Sequence, residues 1–481
     1  IEAVWLLFLV LALTLLTGCS VSGPPIPAPL SASNINLIFV VSEDLAYHAT
    51  GDFNPKTANL TNQGLQRSLL MATFLKQQVM AGENVSAIYA LEPMTHLQTA
   101  SNYPDMVALE TIQQFALLNQ ITLSSDAQGG TPYAGQSFPI NASYASGPLP
   151  SGVPAQFCPN CQGLDFDDED GDNEALVTGI VNSHAMGFYV FSAPWETTNA
   201  LLANINKLQG YNLALPPSYR SPNYIYVISI SPSGSASMIT YSSNLNPPSS
   251  YPVLPPPPLV STACTAQAPF SITVTGGQGG ALIPAGINTN ETIYIIRHAD
   301  AHPLEYWDDN NYVGAGQWRA LDLPNSLHGK ISPDQVYSID PAQFGPGSVD
   351  RATGDSNWST VAPSLTAAPY AIANNLPYHL FSSFLLTDQN APTETSTLLF
   401  TGGTLSNHKV LLAWAYQFIQ PTINALLATY HGSGPPAPPW PDTDYDTIWT
   451  VKLDAVGNLT VSNAMCEGIN SAALPATPPQ F

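Results

Sequence analysis

Short unbroken apolar runs alternate along this chain with longer stretches of helical periodicity. NLIFVV (36–41) and TIYIIR (292–297) are rich in branched and aromatic residues and read as buried strands. LQRSLLMATFLKQQV (65–79) spaces its apolar residues at helical intervals and reads as a helix packed along one face. Strands alternating with helices predict a largely parallel sheet covered on both faces. In such sheets ligands gather at the carboxyl ends of the strands.

The pattern occurs twice, in the same order. FVVSE (39–43) aligns with the run ending in Arg297-His298, which sets Ser42 and Glu43 opposite that pair. LTNQGLQRS (60–68) matches YVGAGQWRA (312–320), pairing Gly64 with Gly316 and Arg67 with Arg319. AIYALEP (87–93) matches QVYSIDP (335–341), and NALLA occurs at both 199–203 and 424–428. IYVISI (225–230) matches the run at 448–453, each followed by a turn glycine, Gly234 or Gly457. Two copies of one fold are the reading, separated by the proline tract NLNPPSSYPVLPPPPLVS (244–261), whose prolines cannot join a sheet interior. GPPAPPWP (434–441) is a loop within the second copy.

The run AVWLLFLVLALTLL (3–16) is uncharged and fourteen residues long, short for a membrane span and the right size for a signal-peptide core. It ends in Leu16-Thr17-Gly18-Cys19, which resembles a lipobox, so the expectation is an exported bacterial lipoprotein carrying its lipid on Cys19. The chain opens on Ile1-Glu2 without a start Met or positive residues, so part of the leader is expected to be missing. The expected organisation is a signal peptide (1–18), a Pro/Ser tether (19–33), a first domain (34–243), a Pro-rich linker (244–285), a second domain (286–470) and a tail (471–481). Expected localisation is the cell envelope, facing outside the cytoplasm, with outer membrane or surface favoured because Ser20 rather than Asp follows the cysteine.

Composition narrows the partners. With 34 acidic and 11 basic residues the net charge is −23, which disfavours nucleic acid and anionic lipid headgroups. Four cysteines follow Cys19, namely Cys158, Cys161, Cys264 and Cys466. In an oxidising compartment they suggest two disulfides; of three pairings, Cys158–Cys161 with Cys264–Cys466 is preferred. DFDDEDGDNE (165–174) holds seven carboxylates but fails the EF-hand spacing, and is read as a solvated acidic loop. No motif asks for a metal or cofactor.

The candidate chemistry is Arg297-His298 at the end of an apolar strand. A strand-end imidazole can attack phosphorus while the neighbouring guanidinium grips phosphate oxygens. The strand, the Gly-x-x-Arg-Ala helix start and the PDQVYS strand (333–338) together resemble the histidine phosphatase superfamily, which includes the phosphoglycerate mutases. LTNQGLQRS (60–68) resembles that family's LTxxGxxQA helix, and PMTHLQTA (93–100) its Arg-x-x-x-Thr-Ala region. The resemblance implies two tandem three-layer α/β/α sandwiches with mostly parallel sheets, phosphoglycerate mutase-like. It also implies a pocket of two arginines, two histidines and a carboxylic acid acting on a phosphorylated small molecule.

The sequence departs from that pattern. Val361-Ala362-Pro363 precedes Leu365-Thr366-Ala367 without an arginine, leaving Arg319 and Arg351 as substitutes for phosphate binding. Aligning NALLA puts Phe191 and Tyr416 at the second histidine's position; the competing register makes His408 the second catalytic histidine, after a strand TLLFTGG (397–403). Asp300 is the candidate proton donor, with His302, Asp308 and Asp309 in the same polar loop; Trp307, Trp318 and Trp358 either line a pocket or belong to the core. Two functions therefore compete: a phosphomonoesterase working through a phosphohistidine at His298, and a non-catalytic envelope binding or scaffolding protein.

Overall fold

Each half builds its own sheet, and the two sheets share a plan. In this computed structural model residues 26–42, 54, 56–57, 59–95, 103–119, 137–144, 172–256, 267–301, 310–342, 359–381, 391–431 and 434–481 are described. The first half runs β1 (Ile35–Val41), α1 (Asn62–Phe74), β2 (Ala87–Leu91), α2 (Val107–Leu117), β3 (Asn141–Tyr144), α3 (Asp172–Ser183), β4 (Gly187–Ala193), α4 (Trp195–Gln209), β5 (Tyr224–Ile230) and β6 (Ala236–Ser242). The second runs β7 (Ser271–Val274), β8 (Glu291–Arg297), α5 (Gly314–Ser326), β9 (Gln335–Ile339), α6 (Ala362–Asn374), β10 (Tyr378–Phe381), α7 (Ala391–Phe400), β11 (Lys409–Trp414), α8 (Tyr416–Thr429), β12 (Thr447–Leu453) and β13 (Leu459–Cys466).

The strand orders are β3-β2-β4-β1-β5-β6 and β10-β9-β11-β8-β12-β13-β7. In each sheet four strands are parallel and an antiparallel hairpin closes one side. Every residue of β1 is buried, as a strand covered on both faces requires. Ile38 and Val40 face α1 and α2, while Leu37 and Phe39 face α3 and α4. In the second half Tyr294 and Ile296 join the core under α5 and α6, and Ile293 and Ile295 the one under α7 and α8. Each half is thus a three-layer α/β/α sandwich.

The inner helices of the two halves pack on each other and share one core, through Met71, Leu109, Leu323 and Leu365 among others. Burial of each such side chain contributes roughly 1.5–3 kcal/mol. The contact is pseudo-two-fold. Phe138 N–H donates to Ala116 and Leu376 N–H to Ala371, so Phe138 and Leu376 hold equivalent places. Asn311 of the second half donates to Phe138 at 3.4 Å, and its counterpart Asn59 donates to Leu376 at 3.3 Å.

The proline tract is no free spacer. The amide groups of Gln63 and Gln66 on α1 donate to the carbonyls of Pro247 and Ser250, and the Tyr251 hydroxyl donates to Leu321 on α5. Residues 271–274, assigned by composition to the linker, form β7 and pair with β13. The 471–481 segment also packs down: Trp318 Nε1 donates to Thr477 and Gln114 Nε2 to Pro479. Of the Pro/Ser tether, Ala28 accepts from Tyr241 and Leu30 is buried. Among the described residues no helix is long and apolar enough to cross a membrane.

Burial pushes several carboxyls up: Glu110 to about 8, Glu291 to about 8, and Glu92, which also faces Asp340 across the interface, to about 9. The folded chain therefore keeps protons that the unfolded chain, with glutamates near 4.5, has released. Stability falls with rising pH over that window, by up to about 1.4 kcal/mol per pH unit for each group. His298 and His379, lowered to about 3 and about 4 mainly by burial, act in the opposite sense below 6.5, and Lys76, lowered to about 8, does so above 8. The expected result is a melting temperature that drops most steeply between pH 6.5 and 8, measured by differential scanning calorimetry.

Candidate functional site

The carboxyl end of β8 delivers Arg297 and then His298. Arg297 is the last residue of the strand and pairs with Trp414 of β11, while the His298 N–H donates to the Trp414 carbonyl at 2.9 Å. In the first half Val41 pairs with Ala193, and the Ser42 N–H donates to the Ala193 carbonyl. Ser42 therefore matches His298, and Val41 matches Arg297, one residue away from the alignment that set Ser42-Glu43 opposite the pair.

His298 is half-buried. Its Nδ1 lies 2.9 Å from the Ala299 carbonyl oxygen, which can only accept, so Nδ1 carries the proton and Nε2 the lone pair. Burial and the adjacent Arg297 charge push its pKa down to about 3, so the ring is neutral at physiological pH. The Ala299 N–H donates to Thr366 Oγ1, which itself donates to the Ala362 carbonyl. The start of α6 thereby fixes the backbone just after His298.

Arg297 is 4% exposed and lies between two tyrosine rings, with its guanidinium carbon 4.1 Å from the Tyr416 centroid and 3.7 Å from that of Tyr445. Its Nη1 donates to the carbonyls of Asp442 and Asp444, while its buried Nε has no partner among the described residues. The loop that supplies those carbonyls is itself pinned. Asp444 Oδ1 accepts from the N–H groups of Asp446 and Thr447, Asp444 Oδ2 accepts from Gln267, and the Asp444 carbonyl accepts from Trp440 Nε1. The result is a buried, oriented cation with the Nε edge of its fork unfilled, next to a neutral imidazole. An anionic oxygen is the chemical complement of that donor.

The rest of the expected pocket does not assemble there. Arg319 is fully buried and spends its donors on Asp300 at 2.6 Å, Glu467 at 2.5 Å, the Ile469 carbonyl and Ser471. It is a structural clamp, not a phosphate ligand, and its counterpart Arg67 likewise reaches the Leu245 carbonyl. Asp300 turns its Oδ2 to Arg319. His408 precedes β11, and Lys409 at the start of that strand pairs with Thr292, so His408 stands at the opposite end of the sheet from His298, bonded to Gln335 and Asp334. The preceding TLLFTGG is not a strand; its apolar part closes α7.

Tyr416, aligned through NALLA with Phe191, instead opens α8 as Trp195 opens α4. The shift is four residues, one helical turn, and it brings Tyr416 onto Arg297. Of PMTHLQTA, residues 96–100 lie outside the described residues, and α2 is described from Val107 onward. Arg351, His302, Trp307, Asp308, Asp309, Trp358, Cys19, Cys158, Cys161, Cys264 and the acidic loop lie outside the described residues, apart from the acidic loop's last residues, which open α3. Cys466 is disulfide-bonded. Trp318 lies in the core.

The first half has a hollow of about 330 Å³, counting its open mouth, at the matching place, lined by Val41, Ser42, Gly64, Arg67, Ser68 and Thr111. Sequence reading missed both this cavity and Tyr445, the second ring on Arg297. The aromatic residue in DTDYD (442–446) was the available signal.

No family model matches the chain, and no curated protein does so either. Among solved structures the chain is similar to one from Nakamurella multipartitia, presented as a phosphohistidine phosphatase SixA, at 14% identity and a TM-score of 0.21 over 41% of this chain and 96% of that one.

Proposed function

We propose that this chain is an exported, lipid-anchored protein of histidine-phosphatase-like design whose second half binds an oxyanion, of the phosphomonoester class, without turning it over. The observation that carries the reading is Arg297, caged by Tyr416 and Tyr445 with its Nε unfilled beside neutral His298, while the described residues bring no second arginine or histidine to the pair. Phosphoryl transfer needs a leaving-group acid and several cations around the developing charge. Binding needs only the pair. Export and anchoring at Cys19 rest on the segment at 3–19, with the Cys466 disulfide suiting an oxidising compartment.

Tungstate, the probe, is expected to bind by calorimetry, and Arg297→Met to weaken it roughly tenfold or more, as loss of a charge-assisted hydrogen bond does. No hydrolysis of p-nitrophenyl phosphate is expected. A second reading, turnover through a phosphohistidine, is favoured by the lone pair on His298 Nε2, which has no partner among the described residues. Radiolabelled phosphate trapped on the protein and lost in His298→Ala decides for turnover; absence of tungstate binding overturns both.

A further inference from the structure

A second cavity lies where the inner helices of the two halves meet, far removed in construction from the Arg297 site. It holds about 320 Å³ of empty space, counting its open mouth, and is lined by α1, α2, the start of α5 and α6. Leu65, Leu69, Leu365, Ala368 and Ile372 make its walls apolar. On α2, Glu110, Gln113 and Gln114 line it at spacings of three and four residues, which puts them on one face of the helix. They are 5%, 4% and 3% exposed.

The hydrogen bonds orient these three groups. Gln114 Nε2 donates to the Pro479 carbonyl, which can only accept, so its amide cannot be reversed. Asn311 Oδ1 accepts from the Tyr312 N–H, so Gln113 must offer Nε2 to it as a second donor. Glu110 Oε2 accepts from the Leu60 N–H. What remains is Glu110 Oε1, Gln113 Oε1 and Gln114 Oε1, three buried oxygens without a partner among the described residues. Of the ionisable groups near Glu110, Asp105 is on its own segment, and Tyr378 comes from the second half, as does Tyr312 beside Gln113; no cation among the described residues faces it.

We propose that this interdomain cavity binds a small primary alkylammonium, its three N–H donors meeting these three oxygens and its alkyl chain lying on the leucine and isoleucine walls. An ammonium group has three donors and no acceptor, which is the complement of the set. A carboxylate, phosphate or sugar would bring acceptors against acceptors. The net charge of −23 draws cations toward the chain as a whole. Because burial holds the Glu110 carboxyl up at about 8, arrival of the cation ionises it and releases a proton to solvent near neutral pH. The site is separate from the oxyanion reading and stands or falls without it.

The test is calorimetric titration of the full chain with n-butylammonium at pH 7 in two buffers of different ionisation enthalpy, with n-butanol and butyrate as isosteric controls. Expected are saturable butylammonium binding, a buffer-dependent heat reporting proton release, and no binding of either control. Glu110→Gln is expected to weaken binding roughly tenfold and abolish the buffer dependence, and Gln114→Met to weaken it while leaving proton release intact. Absence of saturable binding, equal binding of butanol, or unchanged affinity in both variants overturns the proposal.

Discussion

Replacing Arg319 with alanine is expected to cost about 3–5 kcal/mol of stability, enough to leave much of the chain unfolded at 37 °C. The guanidinium has no exposed surface and bonds Asp300, Glu467, the Ile469 carbonyl and Ser471. It therefore ties the loop after β8, the exit of β13 and α5 together. Its removal strands two carboxylates in a dry site, and that uncompensated burial, rather than loss of attraction, dominates the cost. Replacing all three, as Asp300→Leu, Arg319→Met and Glu467→Leu, removes the two carboxylates that Arg319 bonds directly, leaves only the partly exposed Asp446 3.9 Å from its place, and should restore most of the loss. Urea unfolding of the single and triple variants checks both halves of the argument; a triple variant as unstable as Arg319→Ala would show that the ion pairs themselves supply the stability.

The second large effect is expected at Trp449. It is completely buried on β12, opposite Ile295 of β8, and tilts against Phe270 and Trp440. Truncation to alanine should cost about 3–5 kcal/mol through lost transfer energy and the cavity left behind. It should also reach the site. Trp449 Nε1 donates to Gln267 Oε1, and Gln267 Nε2 donates to Asp444, whose carbonyl helps orient Arg297. Tungstate affinity measured well below the melting temperature should fall in Trp449→Ala. Trp449→Phe keeps the packing but loses the donor, and so isolates the Gln267 link.

Much of the architecture could be read from pattern alone. The alternation of buried runs with helical stretches, the duplicated segments and the Arg-His pair at a strand end all reappear in the folded chain. Offsets were the weak point. The NALLA match misled by one turn, because α8 starts a turn earlier relative to it than α4 does, and a repeat inside a helix carries no information about where that helix begins. The five-residue match at 39–43 slipped by one for a similar reason: only the ladder hydrogen bonds to Ala193 and Trp414 fix the count. TLLF is too short for periodicity to separate a strand from a helix end. The roles of Arg319 and Tyr445 depend on partners about 150 residues away from Arg319 or Arg297 in sequence, in loops whose closure no local pattern encodes.

The paired contacts of Asn59 with Leu376 and Asn311 with Phe138 carry one more consequence. They make the junction between the halves isologous in kind, with each half offering the same surface to the other, as subunits of a symmetric homodimer do. The chain is in effect a dimer with its protomers joined in series. Either half produced alone would expose an apolar helical face shaped to receive its own likeness. Self-association, rather than a tidy monomer, is what such a fragment would show.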